Sequence, residues 1–215
     1  MSVSFNVNDT SFTQLVQLSA IILLIYVVYT ASSDKVYSVM GDVTSDVDQR
    51  VYTVKKAVCN RETGMCKNFA DSKEAANLLA KVKQNLVRLV ATLKVKYPND
   101  PDIQRLLYRF SPDSIVEGSN NSGLTTYTVN KGSTIAFCLR SRDDKYTLDT
   151  NLNTLMYVAL HELAHILDKD HDPAHKNGFP KKMQFIIKEA TELGIYTYQD
   201  YRTNPSQHCG ITINS

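Results

Sequence analysis

The sequence lacks a surplus of charge: 24 Lys and Arg face 22 Asp and Glu, for a formal net charge of +2. Dedicated nucleic-acid binders usually carry a marked basic excess, so nucleic acid is not an expected partner. Cysteine is scarce, four in 215 residues, which excludes a disulfide-dense scaffold. No internal repeat and no low-complexity tract occurs, which excludes repeat arrays and a largely disordered chain. Lys and Arg are absent from residues 1–34, where Asp9 and Asp34 carry the only charges. What is present, 43% hydrophobic and 21% charged residues, is the composition of one globular domain of ordinary size with a tail.

The chain has one long apolar run. Leu15 to Ala31 reads LVQLSAIILLIYVVYTA, 17 residues without a charge. At about 1.5 Å rise per residue, that length lies at the short end of what crosses a hydrocarbon core. A cleaved signal peptide normally begins with a basic region, and none is present. The expected organisation is therefore a tail over 1–14 and a retained transmembrane anchor over 15–31. The alternatives are a signal cleaved near Thr30-Ala31-Ser32-Ser33 and a buried core helix. Lys35, Arg50, Lys55 and Lys56 follow the run, and the positive-inside rule then puts the C-terminal domain on the cytoplasmic side. Sequons at Asn8-Asp9-Thr10 and Asn120-Asn121-Ser122 matter only if the chain around them is lumenal.

Residues 32–70 read as a strand-rich stalk or linker, and 71–215 as the main domain. Val36–Val58 mixes β-branched and polar residues, which predicts one or two strands. Cys59 and Cys66 bracket a turn containing Gly64; in a lumenal domain the pair would form a disulfide, whereas on the cytoplasmic side two free thiols are the expected state. Asp71–Lys96 is the clearest helix, with Asp71 and Glu74 in a capping-box pattern and an apolar stripe through Leu79, Val82, Leu86 and Leu93. Its Lys73, Lys81, Lys83, Arg88 and Lys94 read as a solvated face. Asp100-Pro101 starts a shorter helix to about Phe110. Thr125–Val129 and Thr134–Arg140 read as a hairpin through Asn130-Lys131-Gly132, either a plain structural element or a wall along which an extended peptide is held.

The most chemically specific feature is His161-Glu162-Leu163-Ala164-His165. Asp149 or Asn151 can cap a helix whose apolar positions include Leu155, Met156, Ala159, Leu163 and Leu167. On it His161 and His165 lie one turn apart, about 6 Å between Cβ atoms, which suits two ligands of a single Zn²⁺. Glu162 is rotated by about 100° from His161 and can contact a water held by the ion. That carboxylate is the expected catalytic base, taking the water's proton and passing it to a leaving amine. Two ligands leave a tetrahedron incomplete. His171 has the spacing of the metzincin pattern, with Asp168 where that pattern has Gly. His175 precedes the helix that carries Phe179, Met183, Ile186, Ile187 and Ala190. Glu189 or Glu192 would supply a carboxylate from that helix. Tyr196, Tyr198 and Tyr201 follow, as packing residues or as donors to an oxyanion. Asp168, Asp170 and Asp172 read as solvated loop residues or as acceptors that orient imidazoles.

Residues 153–165, Asn153 through His165, resemble the active-site helix of WLM/SprT-type zinc metallopeptidases. The chain is most similar to a membrane-anchored, WLM-like group from large nucleocytoplasmic DNA viruses. Glu74-Ala75-Ala76-Asn77-Leu78-Leu79, Tyr127-Thr128-Val129-Asn130-Lys131-Gly132, Cys138-Leu139-Arg140, Gly194-Ile195-Tyr196 and Cys209-Gly210 carry the resemblance over most of the chain. It implies His161, His165 and His175 as the metal ligands, because in that group the third His precedes a helix as His-x-x-x-Phe. It also implies Zn²⁺ as cofactor and a protein or peptide as substrate. The chain departs from the group at Pro180, where an aromatic is usual, and at His208, where Tyr is expected before Cys209. Its segment between His165 and His175 is longer.

These readings combine into an α+β, zincin-like domain with a small, mostly antiparallel sheet and the His-Glu-x-x-His helix, preceded by one transmembrane helix. The expected function is a membrane-anchored zinc endopeptidase. The alternatives are a non-catalytic, zinc-stapled structural protein of a virion or viral membrane, and a cleaved secretory peptidase.

Overall fold

The computed structural model describes residues 17, 21, 35–118, 126–129, 132–143, 145–169 and 178–214. The chain divides into Met1–Lys35 and Val36–Ser215. In the first unit Gln17 and Ile21 are helical, and the rest of the expected anchor lies outside the described residues. Among the described residues no helix is long and apolar enough to cross a membrane.

The second unit is α+β. Its elements run β1 (Val36–Thr44), β2 (Val51–Asn60), β3 (Cys66–Asn68), α1 (Ser72–Lys96), α2 (Pro101–Arg109), a 3-10 turn (Pro112–Ser114) and β4 (Ile115–Glu117). They continue with β5 (Tyr127–Val129), β6 (Thr134–Phe137), α3 (Leu152–Leu167), α4 (Phe179–Glu192), β7 (Ser206–His208) and β8 (Ile211–Ile213). The sheets are small: an antiparallel β1-β2-β3, a mixed β4-β6-β5 with β4 parallel to β6, and the β7-β8 hairpin. Residues 36–70 are part of this same unit, and Tyr52 and Val54 of β2 lie in its main core.

α1 is the central strut. Its apolar stripe, including Leu79, Val82, Leu86, Leu89 and Leu93, is fully buried and touches β2, β4 and the other three helices. The solvated basic face expected of α1 is only partly that. Lys83 is buried, its ammonium bonded to Asp113 at 2.6 Å and set over the Tyr52 ring. The capping box at Asp71 does not form either. Asp71 makes no side-chain cap and instead pairs with Arg140 Nη1 at 2.7 Å.

Arg140 is fully buried, and its Nε donates to Glu117 Oε1 at 3.0 Å while the guanidinium lies over the Phe69 ring. Glu117 Oε2 accepts the backbone N–H of Lys55, itself a buried residue of β2. Burial pushes the Glu117 carboxyl up against the pull of Arg140 and Lys55, and lowers the Lys55 ammonium to about 8. This charged group joins the two three-stranded sheets, and its cost of burial is offset by the pairing.

All four cysteines are paired, Cys59 with Cys66 and Cys138 with Cys209, so the expectation of free thiols at 59 and 66 is overturned. Antiparallel pairing of β2 with β3 sets Cys59 directly opposite Cys66, close enough to bond.

Candidate metal centre

α3 forms as its sequence dictates. Asn151 caps it, accepting from Thr154 N at 3.1 Å, and the apolar positions Leu155, Met156, Ala159, Leu163 and Leu167 are all buried. Asp149 does not cap. α3 packs on α4 and α2. Beneath it Gly132, at φ +110°, approaches so closely that a Cβ there would lie 2.7 Å from Ile166 Cδ1, so the hairpin sits against the helix only with Gly at this place.

The two imidazoles that the sequence places one turn apart converge: His161 Nε2 and His165 Nε2 are 3.2 Å apart. Two nitrogens bound to one tetrahedral ion at about 2.0–2.1 Å are separated by about 3.3 Å, so the donor atoms fit a shared Zn²⁺. The buried Phe179 ring packs on both, its centroid 4.8 Å from His161 and 4.5 Å from His165. Phe179 opens α4, so the start of that helix is fixed at the two histidines.

Glu162 is buried on the flank of the same turn. Burial pushes its carboxyl up to about 8, while hydrogen bonds from the Thr128 hydroxyl and backbone N–H pull the other way. Thr128 lies on β5, an edge strand of its sheet, so that edge meets the acidic residue. Sequence reasoning had the hairpin beside the helix but not this contact.

Two clefts open on His161. The larger, about 630 Å³, is lined by Tyr157, Phe179, Met183, Ile187 and Tyr198 among others. The smaller, about 240 Å³, has Glu162, Thr126, His208 and Ile213 in its walls. Of the three tyrosines, Tyr198 is 61% exposed at the larger cleft, whereas Tyr196 and Tyr201 are buried against Tyr157.

The candidate third ligands divide. His171 and His175, with Asp170 and Asp172, lie outside the described residues, and among the described residues no cluster of three metal-ligating side chains occurs. Glu189 is engaged elsewhere: its buried carboxylate accepts from Lys96 Nζ at 2.5 Å and Tyr97 OH at 2.6 Å. Burial alone would raise this carboxyl, but those two partners hold it below its ordinary value. Glu192 pairs with Lys96 and Lys188. Asp168 is buried rather than solvated, and at φ −78° it does not take the left-handed turn that would let it stand for the metzincin Gly.

A WLM domain matches residues 59–212. The chain belongs to the WLM family. WLM domains form a metallopeptidase-like family, associated with zinc metallopeptidases. An uncharacterized protein of Acanthamoeba polyphaga mimivirus is 32% identical over 201 residues, 92% of each chain, so the WLM protein has a viral relative. No solved structure matches it.

Proposed function

We propose that this WLM protein is a zinc-dependent endopeptidase with a zincin-like site, in which His161, His165 and His175 hold the metal and Glu162 is the general base and acid. The observation that carries the reading is the 3.2 Å approach of the two Nε2 atoms beside a buried carboxylate, at the meeting of two clefts. A bound zinc would supply Lewis acidity and an activated water. The residues of the chain do the rest. Glu162 holds a proton near neutral pH because burial disfavours its charge, and a cation at the imidazoles would draw its carboxyl down toward the range of a proton shuttle. Phe179 fixes the ring planes and excludes water from one side. The larger cleft accepts the substrate chain.

His175 is favoured as third ligand because Phe179, four residues later, touches both imidazoles. Anchoring through 15–31 remains part of the proposal. Glu162→Gln keeps the polar shape and removes the base: the variant is expected to bind about one zinc per chain and to lose at least about 10³-fold in peptide cleavage. Wild-type protein that holds zinc but cleaves nothing in a broad peptide library would favour the zinc-stapled structural reading.

A further inference from the structure

The smaller cleft holds a second histidine that the zinc reading does not use. His208 closes β7 and is 2% exposed. Its Nδ1 meets Asp149 Oδ2 at 2.9 Å, and its Nε2 is buried without a hydrogen-bond partner among the described residues. The same side chain lines the 240 Å³ cleft together with His161 and Glu162. A buried ring nitrogen left unpaired is costly, and its neighbour in the cleft is the proposed general base. The ring is firmly held. Asp149 leads into α3, where its Oδ1 accepts the N–H of Asn151, the residue that caps the helix. The next residue after His208, Cys209, is bonded to Cys138 at the end of β6.

We propose that His208, oriented by Asp149, is a further catalytic residue that stabilises the oxyanion of peptide hydrolysis; this rests on the peptidase reading above. With Asp149 accepting at Nδ1, Nε2 is the atom left to meet substrate, and it donates when the ring carries both protons. The step balances without any other reagent. The water oxygen bonds to the carbonyl carbon, its proton goes to Glu162, and the carbonyl π pair moves onto oxygen, where Nε2–H meets it. On collapse that pair returns, the C–N bond breaks, and Glu162 gives its proton to the departing amine. His208 keeps its proton throughout. Donors of this kind act on charge that develops only in the transition state, so their loss falls on kcat.

The test uses the full chain, a fluorogenic peptide selected because wild type cleaves it, and a phosphinic analogue of that peptide. His208→Ala is expected to keep about one zinc and a KM within about twofold, to lose about 10²–10³-fold in kcat, and to bind the phosphinic analogue weaker by a similar factor. His208→Gln, which restores an N–H donor and guards against a folding defect in the Ala variant, recovers part of both. Asp149→Asn, a positioning change, lowers kcat less and leaves KM and zinc alone. Unchanged kcat in both His208 variants, zinc loss on substitution, or a rise in KM alone would each overturn the assignment while leaving the peptidase reading in place. A wild type that cleaves no peptide would end both.

Discussion

At the scale of single residues, the site depends on a few side chains held in pairs. Phe179 is the clearest case, since one ring supports both imidazoles. Phe179→Ala removes buried volume and that support, so stability falls by about 3–5 kcal/mol and zinc binds about 10-fold weaker, whereas Phe179→Leu keeps most of both. Denaturant unfolding and chelator competition measure the two effects separately. Glu162 gives a pH signature in metal-free protein. Its folded carboxyl titrates at about 8 against an ordinary 4.5, so across that window the native state keeps a proton that the unfolded chain has released. Stability attributable to this group therefore falls as pH rises from 4.5 to 8, and Glu162→Gln, with no proton to lose, is expected to show a shallower decline in urea unfolding over that range.

At the scale of elements, long-range pairs decide what local pattern does not. α4 is tied to the end of α1 by Glu189, which Lys96 and Tyr97 hold ionised. A carboxyl lowered in the folded state contributes stability at pH above its unfolded value and loses it as pH falls through the folded one. Glu189→Gln is expected to cost about 2 kcal/mol at pH 7 and progressively less in acid, as read by thermal unfolding across pH. The same pair explains a limit of the sequence. Periodicity and an Asn cap define α3, and Pro101 after Asp100 defines α2, because those signals are local. Glu189 reads as a possible ligand until Tyr97, 92 residues away, claims it. Asp71 reads as a cap until Arg140 takes its carboxylate. Nothing local marks His208, whose partner Asp149 lies 59 residues earlier.

At the scale of the whole molecule, the α+β class and the helix that carries the two histidines were legible in the sequence; the pairing of the cysteines was not, because it depends on strand register and on contacts across the fold. Cys138–Cys209 closes a long loop, separation 71, and ties the β7-β8 hairpin to the sheet beside the site. Cys138→Ser is expected to lower stability by about 4 kcal/mol in denaturant unfolding, from the loop-closure entropy released to the unfolded chain. Two disulfides also favour an oxidising compartment, and they pull against the cytoplasmic orientation that the Lys and Arg bias supports. We propose that the domain folds on the oxidising side, where both disulfides persist. Protease protection of the membrane-bound chain tests this: the domain is shielded in sealed vesicles if the proposal holds and digested if it faces the cytoplasm.

The zinc reading requires the two imidazoles of α3 to share one divalent ion. Zinc X-ray absorption on purified protein addresses it directly. One zinc per chain is expected, with nitrogen scatterers at about 2.0–2.1 Å, a signal lost in His161→Ala and weakened in His175→Ala but not in His171→Ala. Well-folded wild-type protein that binds no zinc, or zinc in a sulfur shell, would contradict it.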